Sequence, residues 1–226
     1  MTDFVVQVAM VEEAQPFLDR ANSVGAETVV GGVSMRELSL GDRSLALVIG
    51  GIGLVNSAHA ATAAISRYGT SAPLISAGSA GGVSADSRVG DVVIATDIIN
   101  LEADAQAFGY ALGQTPGMPA IYSADTALAD ALVAGDHGQT VPRGAIGSGE
   151  KFITADLAHA IRRDFPYVVA VDMESVAIAQ VAHRYGVRFA AVRAISDLCA
   201  PDGEEFLTHI DDAVARSAAV VVAQFG

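Results

Sequence analysis

The chain has 226 residues, of which 51% are hydrophobic, enough to bury the core of one large domain covering residues 1–226. Its formal net charge of −13 argues against nucleic acid and anionic membranes as partners, and no apolar run approaches the roughly 18 residues of a membrane span. The acidic start, which is unlike a signal peptide, and the single cysteine, Cys199, predict a cytoplasmic protein without an internal disulfide.

Apolar strands alternate with helical segments along the chain. The first half predicts, in order, a strand at 4–10, a helix at 12–21, strands at 35–40 and 45–49 around a Gly-Asp turn, a helix at 58–68, and a strand at 74–77 that ends in a glycine-rich turn. The second half predicts a strand at 92–96, a long functional or interface loop at 97–122, a helix at 155–163, a strand at 168–171, a helix at 175–185, a strand at 189–195 and a helix at 210–225. This alternation indicates a layered α/β domain with a mixed, largely parallel sheet.

Ligands of open α/β sheets bind outside the carboxyl ends of the strands, so the residues that follow each strand are candidates for chemistry. Glu12 and Glu13 follow the first strand, where a carboxylate could activate a water molecule. The alternative is that they lie in the first turn of a helix and complement its dipole. The sequence alone leaves both interpretations open.

Two glycine-rich segments follow buried strands. In Ser76-Ala77-Gly78-Ser79-Ala80-Gly81-Gly82, small residues would let a ligand approach the backbone, or would simply form a tight turn. Gly50-Gly51-Ile52-Gly53 lacks the Gly-Lys-Ser/Thr ending of a phosphate-binding loop, and no basic residue lies near it before Arg67. We therefore do not expect a nucleotide-phosphate site there.

Polar residues also end the two strands nearest the carboxyl terminus. Asp172 and Glu174 could accept hydrogen bonds from vicinal sugar hydroxyls, or complement a helix dipole. Asp197 at the end of the next strand could be kept protonated by burial and act as a general acid, or it could cap a turn while Arg193 pairs with a buried carboxylate. The five histidines have no metal-ligand spacing, and Cys199 has the surroundings of a packing residue.

Seven segments together resemble the methylthioadenosine/S-adenosylhomocysteine nucleosidases of the nucleoside phosphorylase superfamily. They occur in the family's order over nearly the whole chain: Ala9-Met10-Val11-Glu12-Glu13, Gly51-Ile52-Gly53, Gly78-Ser79-Ala80-Gly81-Gly82, Ala107-Phe108-Gly109-Tyr110, Ser148-Gly149-Glu150-Lys151-Phe152-Ile153, Val171-Asp172-Met173-Glu174 and Arg193-Ala194-Ile195-Ser196-Asp197. Val11, Asp172 and the Glu150-Lys151 pair depart from the usual pattern. These departures leave the chemical carboxylates in place, so they bear on the substrate preference and not on the reaction.

The resemblance implies a single-domain three-layer fold with a mixed central β-sheet flanked by helices, and an N-glycosidic hydrolase that releases adenine. By this resemblance Glu13 activates the attacking water, Asp197 protonates purine N7, Glu174 accepts the ribose hydroxyls and Arg193 helps to hold the water and the carboxylates. It assigns the substrate-binding positions to Met10, Ile52, Ser79, Ala80, Gly81, Phe152, Ile153, Met173, Ser196 and Phe206. It also implies a homodimer in which Phe108 and Pro116 complete the neighbouring subunit's pocket, a role in methionine salvage, and no cofactor.

Three other functions remain to be weighed. A phosphorylase of the same fold would need arginines where this chain has Glu12, Glu13 and Gly-Ile-Gly, so hydrolysis is favoured. A futalosine or aminodeoxyfutalosine hydrolase would act on a related nucleoside extended at the 5′ position. A non-catalytic nucleoside sensor is disfavoured because Glu13, Glu174 and Asp197 are all present.

Overall fold

The computed structural model describes residues 2–135, 138, 141–200 and 203–225. Its strands are β1 Phe4–Val8, β2 Ser23–Val24, β3 Thr28–Val30, β4 Val33–Leu40, β5 Arg43–Ile49, β6 Leu74–Gly82, β7 Val92–Asn100, β8 Tyr122–Ser123, β9 Arg143–Ser148, β10 Val168–Asp172 and β11 Phe189–Asp197. Its helices are α1 Val11–Arg20, α2 Leu54–Tyr68, α3 Thr126–Ala134, α4 Ala155–Asp164, α5 Ser175–Tyr185 and α6 Glu204–Val222. Short 3-10 turns cover Gln106–Phe108 and Ala223–Phe225.

The strands form one mixed sheet in the order β10-β9-β7-β11-β6-β1-β5-β4-β2, with β3 beside β4 and β8 beside β7. The central strands β5, β1, β6 and β11 run parallel, whereas β7 and β4 run antiparallel to β11 and β5. Strand β10 pairs with both β9 and β6, so β6, β11, β7, β9 and β10 close into a ring. This ring brings the ends of β6, β10 and β11 together.

Helices cover both faces of the sheet, which gives the three layers that the family resemblance implies. One core cluster joins the sheet to α2 and α5 through residues such as Ala60, Ile65 and Ile178. A second cluster joins the opposite face to α1, α3 and α6 through residues such as Phe17 and Val221. The predicted α/β fold class is confirmed. Within the described part of the chain, no helix is long and apolar enough to cross a membrane.

The structure corrects several predicted elements. Strand β6 does not end in a turn at residue 77 but continues through the glycine segment to Gly82, because Gly78 to Gly81 pair with β11. Helix α3 and strand β9 were not predicted, and α2 and α6 begin earlier than expected, at Leu54 and Glu204. The long loop is real but shorter, because β7 extends to Asn100.

Candidate active site

A cavity of about 200 Å³ lies where β1, β6, β10 and β11 end, on the side predicted from the strand direction. Its walls comprise Ala9, Met10, Glu13, Ile52, Ser79, Ala80, Phe152, Val171, Asp172, Met173, Glu174, Ser196 and Phe206. Two larger grooves, of about 490 and 340 Å³, contain none of the residues predicted for the site. The carboxylates therefore single out the smaller cavity.

Glu13 is 5% exposed and held rigidly at the start of α1. Its Oε2 accepts hydrogen bonds from the backbone N–H groups of Ala9 at 2.8 Å and Met10 at 3.1 Å, so it does cap the helix. Its Oε1 accepts from the Ser79 N–H at 3.1 Å and lies 3.4 Å from the Ser79 hydroxyl. Helix capping and a catalytic position are thus compatible here, because the same carboxylate also lines the cavity.

The absence of a side chain at residue 78 makes this position of Glu13 possible. A Cβ atom on Gly78 would collide with Glu13 Oε1 and would lie only 2.9 Å from the carboxylate carbon. At Gly78 the glycine-rich segment therefore makes room for the chain's own Glu13 carboxylate. The sequence pattern predicted close approach to the backbone, but it could not tell a ligand from a side chain of the protein.

Arg193 lies behind the cavity and is fully buried in β11. Its Nε lies 2.7 Å from Asp172 Oδ2, an ion pair in which the N–H is not directed at the oxygen, and its Nη2 donates to Ser76 Oγ at 2.7 Å. The same nitrogen is 3.9 Å from Glu174 Oε2. The sequence offered, as one alternative, that Arg193 pairs with a buried carboxylate. The structure shows this ion pair, and Asp172 supplies the carboxylate.

Asp172 is itself fixed by several donors. Its oxygens accept from the Ser148 hydroxyl at 2.5 Å, from the Ser175 hydroxyl, and from the N–H groups of Glu174 and Ser175 at 3.2 and 3.1 Å. The partly exposed Glu174 accepts from the Gly53 N–H at 3.2 Å. Asp172 therefore anchors the arginine, while Glu174 presents its carboxylate to the cavity.

Burial raises the pKa of Glu174 to about 8, and the neighbouring Asp172 carboxylate adds to the effect while Arg193 opposes it. The folded protein therefore keeps a proton on Glu174 between about pH 4.5 and 8, an interval in which the unfolded chain has released it. Because the folded state then binds more protons than the unfolded state, this group makes the free energy of unfolding fall as the pH rises across that interval.

We expect the Glu174→Gln variant to lose less thermal stability between about pH 5 and 8 than the unsubstituted protein, because its amide cannot ionise. The melting temperature measured across this range checks the prediction. Glu12→Gln is the matched control, since the Glu12 side chain is exposed. Equal slopes for the unsubstituted protein and the Glu174 variant would contradict it.

Asp197 is the last residue of β11, and its side chain is buried. Its Oδ2 accepts from the Ser196 hydroxyl at 2.9 Å and its Oδ1 from the Cys199 N–H at 3.0 Å. The Ser196 hydroxyl also lies 3.2 Å from the Ala80 carbonyl, so its one hydrogen serves only one of the two acceptors at a time. Burial raises the pKa of Asp197, which favours the protonated acid that a proton donor requires.

Most residues predicted for the site come together. Ten line the main cavity: Met10, Glu13, Ile52, Ser79, Ala80, Phe152, Met173, Glu174, Ser196 and Phe206. Gly81, Ile153 and Asp197 line a small adjoining cavity that shares Phe152, Val171, Asp172 and Met173 with the main one. Phe152 and Phe206 meet edge to face, with ring centroids 6.0 Å apart.

Phe108 and Pro116 line neither cavity, and Phe108 is 83% exposed. Their contribution to a neighbouring subunit stays a prediction. Ser76 and Ser148, which contact Arg193 and Asp172, were not among the predicted site residues. Both are fully buried. The sequence signal that could have identified them is a serine directly after apolar residues of a strand, Ile75 in β6 and Ile146-Gly147 in β9.

The fold and site together define a member of the phosphorylase superfamily, whose family model matches residues 3–225. The 5′-methylthioadenosine/S-adenosylhomocysteine nucleosidase of Anoxybacillus flavithermus is 37% identical over 209 residues, covering 88% of this chain and 89% of that protein. The chain belongs to the 5′-methylthioadenosine/S-adenosylhomocysteine nucleosidase family within this superfamily. The resemblance inferred from the seven segments is thereby confirmed.

Solved structures agree with this assignment. The Neisseria meningitidis 5′-methylthioadenosine/S-adenosylhomocysteine nucleosidase, solved in complex with methylthio-immucillin-A, has a TM-score of 0.93 at 34% identity, covering 99% of this chain and 98% of that chain. The futalosine hydrolase of Helicobacter pylori has a TM-score of 0.92 at 23% identity, covering 99% and 97%. At that identity the second comparison shows a shared fold alone.

Proposed function

We propose that the protein hydrolyses the N-glycosidic bond of 5′-methylthioadenosine, S-adenosylhomocysteine or both, with 5′-deoxyadenosine as a further candidate substrate. The observation that carries this proposal is the pair Glu13 and Asp197, two buried carboxyl groups that line two adjoining cavities with shared walls. Glu13 accepts from Ser79, whereas Asp197 is joined through Ser196 to Ala80. The two groups therefore approach neighbouring residues of β6 from different elements.

Cleavage of a bond to adenine passes through an oxocarbenium-like state, which needs a proton on the leaving base and a water molecule beneath the anomeric carbon, by analogy with glycoside hydrolysis. Glu13 would take a proton from that water, and Arg193, which Ser76 and Asp172 hold behind the cavity, would help to hold the water and the carboxylates. Asp197 would protonate purine N7, since burial raises its pKa and so favours the acid form. Each such group typically contributes ~10²–10⁴-fold to the rate, and the mechanism requires no cofactor.

The remaining cavity residues suit the other parts of the nucleoside. The Phe152 ring would stack on the purine, with the Ile153 backbone and Gly81 at the edge of the base. Glu174 would accept hydrogen bonds from the ribose hydroxyls while Met173 packs on the sugar. The apolar side chains that remain would surround the 5′ substituent, namely Met10, Ile52 and Phe206.

Water is favoured over phosphate as the nucleophile because the charges at the site are wrong for a dianion. Arg193, the arginine nearest the cavity carboxylates, is already paired with Asp172. The N–H of Gly53, at the start of α2, is already occupied by Glu174. A phosphate placed here would meet the Glu13 carboxylate, whose charge repels a dianion.

We also propose a cytoplasmic homodimer of one-domain subunits. The family model spans 3–225, which supports one domain. Apolar residues on α2 and the long loop are exposed, Val55 by 78% and Phe108 by 83%, and a groove of about 340 Å³ is lined by residues of α2 and α5. Exposed apolar area of this kind is typical of a subunit interface. Sedimentation of the purified protein would test whether it is a dimer in solution.

The function is tested by incubating the protein with a panel of 5′-substituted nucleosides and measuring the free base. We expect adenine release from the 5′-thioadenosines at equal rates with and without phosphate, since Arg193 is paired with Asp172 and the Glu13 carboxylate lines the cavity. Futalosine in the same panel tests the second hydrolase reaction. Adenine release that required phosphate and yielded a ribose 1-phosphate would overturn the proposal.

A further inference from the structure

Glu150 lies just outside the cavity, in the loop that follows β9, and reaches across to the start of α2. Its Oε1 accepts a hydrogen bond from the backbone N–H of Leu54, the first residue of that helix, at 2.9 Å. Glu150 is one of the positions at which this chain departs from the usual family pattern. Its own side chain does not line the cavity.

Gly53, the residue before Leu54, lies against the other oxygen of the same Glu150 carboxylate. Gly53 has a φ of 101°, and a Cβ atom at this position would lie 2.7 Å from Glu150 Oε2. The N–H of Gly53 is the one that donates to Glu174. The first two N–H groups at the start of α2 are thus taken by carboxylates from two distant segments of the chain.

The two segments that Glu150 joins each carry a wall of the cavity. Ile52 precedes Gly53, and Phe152 follows Glu150 by two residues, and both line the cavity. The loop of Glu150 is tied at its start by the Gly149 N–H, which donates to the Asp172 carbonyl at 3.2 Å. Loss of the Glu150 carboxylate would release the side of this loop that faces α2.

We propose that Glu150 is a positioning residue that fastens the Gly51-Ile52-Gly53 turn to the loop carrying Phe152, and so fixes the cavity walls and the N–H that orients Glu174. It acts through the hydrogen-bond acceptor that it offers to Leu54, not through contact with the substrate. This inference rests on the proposed function for its choice of substrate. It adds a residue that controls how tightly the nucleoside is held.

The experiment compares Glu150→Ala and Glu150→Gln with the unsubstituted protein, using 5′-methylthioadenosine turnover and calorimetric binding of methylthio-immucillin-A. Removing a helix-capping acceptor typically corresponds to an about three- to thirtyfold change in an equilibrium constant. We therefore expect Glu150→Ala to raise KM and the inhibitor Kd by about three- to thirtyfold, while kcat changes by less than about threefold. Glu150→Gln keeps an acceptor oxygen and should stay close to the unsubstituted protein.

Asp125→Ala is the matched control, because Asp125 caps α3 through the Leu128 N–H at 2.8 Å and lines neither cavity of the candidate site. It should lower the melting temperature as Glu150→Ala does, yet leave KM unchanged. Unchanged KM and Kd in Glu150→Ala, equal defects in the Ala and Gln variants, or a raised KM in the control would each overturn the inference. Failure of the unsubstituted protein to release adenine or bind the inhibitor would instead refute the proposed function.

Discussion

Replacing Asp197 by asparagine is expected to abolish nearly all release of adenine while leaving the fold and nucleoside binding intact. Asparagine has the size of the aspartate and can still hydrogen-bond to the base, but it has no acidic proton to deliver. The adenine would then have to leave as an anion, so turnover should fall by at least the ~10²–10⁴-fold typical of a general acid. The measurement is steady-state adenine release, beside calorimetric binding of methylthio-immucillin-A.

A second substrate separates catalysis from structure at Asp197. A synthetic riboside whose leaving group departs readily as an anion, such as 4-nitrophenolate, depends less on protonation and should lose much less activity in the variant. Equal losses on both substrates, together with a much lower melting temperature, would show that Asp197 is structural. The backbone N–H of Cys199, which donates to Asp197, would then be the contact that matters.

Replacing Glu13 by glutamine should have an effect of similar size for a different reason. The single amide oxygen can still accept from the backbone N–H groups of Ala9 and Met10, so the start of α1 should stay in place, whereas the NH₂ group replaces the oxygen that accepts from Ser79. It cannot take a proton from water, and turnover should fall by ~10²–10⁴-fold with little change in nucleoside affinity. Single-turnover adenine release, with the enzyme in excess over the substrate, measures the chemical step directly.

Glu12→Gln is the matched control for this second prediction. Glu12 is the neighbouring acid in the same helical turn, but its side chain is exposed and it does not line the cavity. It should keep near-normal turnover. Near-normal turnover in Glu13→Gln as well would mean that Glu13 serves only to cap the helix.

The positions of the carboxylates could be predicted because each follows a strand, and parallel strands place their carboxyl ends at one edge of a sheet. This rule, together with the family resemblance, predicted that Glu13 and Asp197 belong to the site. The pairing of Asp172 with Arg193 could not be derived in the same way, because it depends on the register between β10, β6 and β11. Nothing in the local sequence fixes which buried carboxylate meets the arginine.

The missed elements have local causes. Strand β9 contains Gly144 and Gly147, and glycines weaken the sequence pattern of a strand. In the structure both glycines are needed for close packing, because a Cβ atom would collide with Val169 at position 144 and with Leu101 at position 147. Helix α3 has weak amphipathic character, but its Asp125 cap was a usable signal.

The roles predicted for Phe108 and Pro116 depend on contacts with a second subunit, and they were predicted by resemblance alone. Phe108 lies exposed in the long loop that was predicted to be a functional or interface segment.

The central claim is that water attacks the nucleoside directly. The most direct measurement is mass spectrometry of the sugar product after cleavage of 5′-methylthioadenosine in ¹⁸O-labelled water containing phosphate. We predict one ¹⁸O atom in the methylthioribose, bound at the carbon that carried adenine, because Glu13 directs water to that carbon. A sugar 1-phosphate as the enzymatic product, without ¹⁸O at that carbon, would contradict the account.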